Sequence, residues 1–143
     1  MAEKPITTSR LLVRIKRSGT FREAVTWHDD NDTPRFHQEL YAHMNRREMD
    51  ASELIRLTRI DRSYFYHILS GKKLPRRNMT LRICCALRLS VRETNHMLQL
   101  SDAAALYAKN RRDAVLIYGL EKKVGIVEAN NMLLEAGEDP LFV

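Results

Sequence analysis

Within six residues, Arg62, Ser63, Tyr64, Tyr66 and His67 bring together the groups best suited to reading a nucleic-acid base. They share the polar side of a segment whose other side, Phe65, Ile68 and Leu69, recurs at the i, i+3, i+4 spacing of an apolar helix face. A guanidinium, hydroxyls and an imidazole on one helix face can hydrogen-bond base edges in a major groove, and Arg62 suits a bidentate contact with guanine. Tyr66 is placed to stack on a sugar at the groove's rim. Just beyond, Lys72-Lys73-Leu74-Pro75-Arg76-Arg77 sets four cations in six residues. With Ser52, the cations Lys72, Lys73, Arg76 and Arg77 form the expected phosphate-holding set, which positions a reader without carrying sequence information. A plainer reading stands beside this one: both tyrosines pack within the domain and Arg62 is neutralised by a nearby acid.

Other chemistries find no foothold. Ser70-Gly71-Lys72-Lys73 resembles the end of a phosphate-binding loop, but it lacks the upstream glycine and a Ser/Thr after the lysine, and it follows a helical pattern rather than a strand. No nucleophile elbow, carboxylate pair or Ser/His/Asp set occurs at a workable spacing, so no enzymatic activity is expected. The histidines, at positions 28, 37, 43, 67 and 96, form no HxxxH pair or ligand cluster. The acidic run 29–32 lacks the length, glycine and terminal glutamate of an EF-hand loop. Neither a metal nor a cofactor is expected. Cys84 and Cys85 are neighbours in a helical pattern, where side chains diverge by about 100°. One buried thiol, one half-exposed thiol and no disulfide are expected.

Two short helices must position the candidate readers. Asp50 followed by Glu53 is a capping-box-like start, and Leu54, Ile55 and Leu57 give that helix its apolar face. Asp61 starts the second helix, and Gly71 supplies the left-handed residue that commonly ends one. Only Arg59-Ile60-Asp61 lies between them. A connection that short makes the helices meet steeply, with Ile60 plugging the corner, which is a helix-turn-helix arrangement.

Residues 52–91 resemble the Cro/repressor (Xre-type) DNA-binding family. The matching positions are Leu54, Ile60, Ser63, Phe65, Ile68 and Gly71, then Pro75, and then Leu81, Ile83, Ala86 and Leu87, followed by Leu89-Ser90-Val91. The resemblance implies an all-α protein with a lambda-repressor-like helix-turn-helix core and the second helix as recognition helix. Three positions depart from the family's usual pattern. Arg59 replaces a turn glycine, which predicts a non-glycine residue at positive φ, costing about 1 kcal/mol. Ser52 replaces a phosphate-touching glutamine, and Leu69 a glutamate.

Along the rest of the chain, residues 1–6 read as a disordered start and 7–17 as a short helix with Leu11, Leu12 and Ile15 as its apolar set. Thr20 with Glu23 is a second capping box, opening a helix that carries Phe21, Val25 and Trp27. Phe21 and Trp27 are expected either to fold back on the core or to form a dimer contact. Thr33 as cap and Pro34 as first residue are expected to start the next helix, with Phe36, Leu40 and Met44 on its inner face. Asn78 is expected to cap a helix to about residue 88, and Ser90 with Glu93 to form a third capping box. An internal repeat follows at an offset of 35. Arg76-Arg77-Asn78 matches Arg111-Arg112-Asp113, Leu81 matches Leu116, and Glu93, Asn95, Met97, Leu98, Leu106 and Tyr107 match Glu128, Asn130, Met132, Leu133, Leu141 and Phe142. The last helix pair of the core is thus read as copied once, over 113–123 and 126–136, and stacked as a small solenoid-like extension. The expected division is an N-terminal helical arm 1–34, a helix-turn-helix domain 35–100 and a repeated helix pair 101–143 packed on it. Regulators with such a repeated tail form a familiar group of small bacterial proteins, which this chain resembles.

The 143 residues carry a net charge of +6, divided as +1 over 1–34, +7 over 35–88 and −2 over 89–143. The cation excess sits on the helix-turn-helix segment, as a DNA-binding unit requires. No apolar run approaches the roughly 18 residues of a membrane span, and no secretory pattern is present, so a cytoplasmic protein is expected. The leading expectation is a transcription regulator, repressor-like, that binds duplex DNA as a homodimer. The alternative from another class is a protein-interaction adaptor or antitoxin-like module, docking a partner through residues 113–142.

Overall fold

Side-chain caps at Asp50, Asp61, Ser90 and Asn110 open four of the helices in the computed structural model, which describes residues 8–23 and 34–143. All regular structure among these residues is α-helical, and none of the helices is long and apolar enough to cross a membrane. The chain divides into two compact units, Met1–Pro34 and Arg35–Val143. The expectations for residues 1–6, Val25, Trp27, the acidic run and Thr33 lie outside the described residues.

In the first unit, α1 (Thr8–Arg17) ends on Arg14, Lys16 and Arg17, cations that complement the negative end of the helix dipole. Leu12, Val13 and Ile15 are exposed, as is Phe21. The Thr20 hydroxyl accepts from the Glu23 amide at 3.2 Å, while the Glu23 carboxylate accepts from Gly19 N–H at 2.8 Å.

The second unit contains α2 (Phe36–Arg46), α3 (Ala51–Thr58), α4 (Arg62–Leu69), α5 (Arg77–Ala86), α6 (Val91–Leu100), α7 (Arg111–Glu121) and α8 (Ile126–Glu135). It is one unit, with no division near residue 100. Helix α2 begins two residues later than Pro34: Arg35 is its cap, and its N–H donates to Gln38 Oε1. Asp50, Asp61 and Ser90 cap α3, α4 and α6, as their spacing predicts. Asn78 does not cap α5. Arg76 holds that position, and Asn78 Nδ2 instead donates to the Leu141 carbonyl at 2.7 Å. Asn110 caps α7, which therefore starts earlier than 113.

The core runs through the whole unit. Phe36, Leu40, Leu54, Phe65, Ile68, Leu81, Ile83, Met97, Leu98, Leu116 and Leu133 are all essentially inaccessible. Helix α5 lies at its centre, packed on α3, α6 and α8. Both Cys84 and Cys85 are buried in consequence, against the expectation of one half-exposed thiol. Burial pushes both thiols up, Cys85 to about 12.

The repeat folds as two equivalent helix pairs. Asn95 Oδ1 accepts from Leu106 N–H at 2.9 Å, and its counterpart Asn130 accepts from Leu141 N–H at 2.6 Å. Even the left-handed residues recur, at Arg88 and Lys123 and at Asp102 and Gly137. The copies do not stack by translation, however. The main packing runs from α5 to α8 and from α6 to α7. Arg77 pairs with Asp113 at 2.8 Å, while its counterpart Arg112 donates to Asn78, the counterpart of Asp113, at 2.7 Å. Arg88 donates to the Lys123 carbonyl and Lys123 to that of Arg88. Such crossed pairing is the signature of a half-turn rotation, as in an isologous dimer. The solenoid-like expectation gives way to a pseudo-two-fold pair.

Candidate nucleic-acid interface

Helix α3 enters through Asp50, whose Oδ1 accepts from Glu53 N–H at 2.9 Å, and it buries Leu54 and Thr58. The Thr58 hydroxyl donates back to the Leu54 carbonyl, a bond that closes the last turn. Arg59 then takes φ 57°, ψ 26°, the left-handed geometry the missing glycine predicts. Ile60 is 3% exposed and fills the corner. Asp61 accepts from Tyr64 N–H at 3.1 Å and opens α4.

Phe65, Ile68 and Leu69 anchor α4 in the core, and α2 packs against it. That fixes which side faces outward. Arg62, Ser63, Tyr66 and His67 are exposed, whereas Tyr64 is half-buried, with Lys73 Nζ 5.6 Å from its ring centre. The plainer reading therefore fits Tyr64 but not Arg62, which has no carboxylate partner among the described residues. Gly71 ends the helix at φ 82°. A Cβ there would lie 2.8 Å from the His37 ring, so close approach and backbone sign both require glycine.

Beyond Gly71, Lys72, Lys73, Leu74 and Arg76 are exposed, and Pro75 is buried, which anchors the loop. Ser52 is exposed in the first turn of α3. Lys72, Lys73 and Arg76 also lack a carboxylate partner among the described residues. Arg77 differs. Its guanidinium forks onto both Asp113 oxygens and donates to the Ala104 and Ala105 carbonyls. That planar, fully engaged geometry joins the two helix pairs and leaves little of the group for a phosphate.

Two further contacts at this face have no signal in the sequence. Arg59 lies 4.3 Å from the centre of the Phe142 ring and reaches the Val143 carbonyl, so the C-terminal residues brace the α3–α4 turn. His37, from α2, shapes the end of α4 through its contact with the Gly71 position. Compared with protein-family models, curated proteins and solved structures, the chain matches none of them.

Proposed function

We propose that the protein binds duplex DNA sequence-specifically as a helix-turn-helix regulator of the Xre type, with α4 in the major groove. The observation that carries this reading is the outward face of α4: a helix fixed from behind by Phe65 and Ile68, bearing Arg62, Ser63, Tyr66 and His67, beside the cationic loop 72–76. In this reading Arg62 makes the discriminating base contact, with Ser63 and His67 beside it and Tyr66 at the rim. Tyr64 supports Lys73 from beneath. Ser52, Lys72, Lys73 and Arg76 hold phosphates, and Arg77 holds the fold.

Titration against random and genomic duplexes at two salt concentrations tests the assignment. Arg62→Ala should cost about 1–3 kcal/mol on preferred sites and flatten sequence preference. Lys72→Ala/Lys73→Ala should weaken all sites alike and reduce the salt slope by about two. Binding that is absent, or insensitive to salt, would overturn the reading. One observation favours the alternative of a protein-docking module: an exposed apolar groove on the C-terminal helix pair, between α7 and α8.

A further inference from the structure

We infer that Phe142 is a positioning residue for the reading helix: through Arg59 it holds the α3–α4 turn in the geometry that aims Arg62, so the second helix pair takes part in sequence discrimination. The inference rests on the DNA-binding reading and gives that site a control lying outside the helix-turn-helix segment.

Backbone strain at Arg59 marks the contact. At φ 57° the residue sits in the left-handed region, where glycine is free and a side chain is not. Its guanidinium lies 4.3 Å from the centre of the Phe142 ring and donates to the Val143 carbonyl at 3.4 Å. The ring's quadrupole holds a cation over its face, more firmly where water is kept away, and Phe142 is 7% exposed. Arg59 is thus fixed at both ends, at its backbone by the Ile55 carbonyl that accepts its N–H and at its tip by the ring. Only Ile60 and Asp61 separate it from α4, whose first residue is Arg62. A shift at Arg59 therefore passes almost undamped to Arg62, and a recognition contact tolerates displacements of only about 0.5 Å.

The internal repeat separates this contact from what the fold itself requires. Both copies hold the extended segment after the helix pair in the same way. Asn95 and Asn130 accept from the N–H groups of Leu106 and Leu141. Arg77 donates to the carbonyls of Ala104 and Ala105, and Arg112 to their counterparts on Asp139 and Pro140. The copies part at the ring that follows. Tyr107 is 60% exposed, and among the described residues no cation lies over it. Phe142, in the same place, is buried, carries Arg59 and has Arg82 at 5.8 Å from its centre. Asn78 and Arg82 each add a bond to the Leu141 carbonyl at 2.7 Å, so the backbone bearing the ring is itself held. Tyr107 shows that anchoring the segment needs no ring contact. The contact of Phe142 serves the turn it touches.

Competition binding of the full chain to preferred and random duplexes tests the role, with a urea melt of every variant. Arg59→Gly removes the strain together with the contact, so its melting midpoint should be unchanged or higher. Its ratio of preferred to random affinity should nevertheless fall at least about fivefold, the low end of what one bidentate base contact is worth. Phe142→Leu keeps apolar bulk but loses the ring face and should lower the ratio likewise, whereas Phe142→Tyr should keep it. Tyr107→Leu should change nothing. Random-duplex affinity and its salt slope should match the wild type throughout, because no phosphate-holding cation is altered. A shallower slope with weaker random binding in Arg59→Gly would make Arg59 a phosphate ligand and overturn the positioning role. An unchanged ratio in Arg59→Gly also overturns it, and the DNA-binding reading stands where Arg62→Ala still lowers that ratio. A wild-type chain that binds no duplex, or all duplexes alike, overturns both.

Discussion

Gly71 and His37 define the finest constraint on the reading helix. A methyl group at Gly71 would meet the imidazole at 2.8 Å and would also force an L-residue to φ 82°. Gly71→Ala should therefore destabilise the fold by about 1–3 kcal/mol in chemical denaturation. His37→Ala in the same chain should recover only the steric part. His43 sets a second constraint, this time on pH. Burial, aided by Arg46, lowers its pKa from the usual 6.5 despite the nearby Glu93 carboxylate, so the ring is neutral in the fold. Its contact with Glu93 at 3.7 Å is accordingly not an ion pair. Below about 6.5 the unfolded chain takes up a proton that the fold resists, so stability falls as pH drops through that range and is unaffected above it. Glu93 acts in the same direction further down. Burial pulls its carboxyl up, but the Ser90 amide and Arg47 outweigh that and hold it below 4.5. Thermal melts from pH 7.5 to 5 should show a falling midpoint, and His43→Gln should remove the part of the fall that begins near 6.5.

Among the elements, each helix pair is closed by an asparagine that fastens the extended segment after it. Asn130 binds both the amide of Leu141 and the carbonyl of Phe142 while 7% exposed, whereas Asn95 is only half-buried. Leaving buried backbone groups without partners costs about 1–3 kcal/mol. Urea melts should show Asn130→Ala losing about 2 kcal/mol and Asn95→Ala roughly half of that. The difference arises because water can replace the lost partner at the half-buried Asn95. Loss at Asn130 also frees Phe142, and with it the brace on Arg59. Destabilisation there should thus reach the α3–α4 turn, measurable as faster amide exchange at Ile60 and Asp61.

At the level of the whole unit, the second helix pair is part of the core and not an appendage. Leu116, Leu120, Ile126, Leu133 and Leu141 are buried in the same cluster as Phe36 and Phe65, and the Arg77–Asp113 fork spans the two copies. A chain ending at residue 109 would expose the α5 face that α8 covers and leave the Arg77 guanidinium without its carboxylate. That truncated chain should lose the single cooperative melting transition expected of residues 35–143. A chain that kept a sharp transition would show the first helix pair to be self-sufficient.

The sequence by itself determined what depends on near neighbours: the caps at Asp50, Asp61 and Ser90, the left-handed Arg59, the apolar sides of α3 to α6, and the duplication at an offset of 35. These follow from backbone groups satisfied within one turn and from periods of apolar residues, both readable locally. Only the tertiary structure decided that the copies are related by a half-turn, that Arg77 belongs to Asp113, that both cysteines are buried, and that Phe142 sits beneath Arg59. Each of these is fixed by a partner tens of residues away. A guanidinium has the same sequence signature whether it meets a carboxylate or solvent, and a repeat has the same signature whether its copies are translated or rotated.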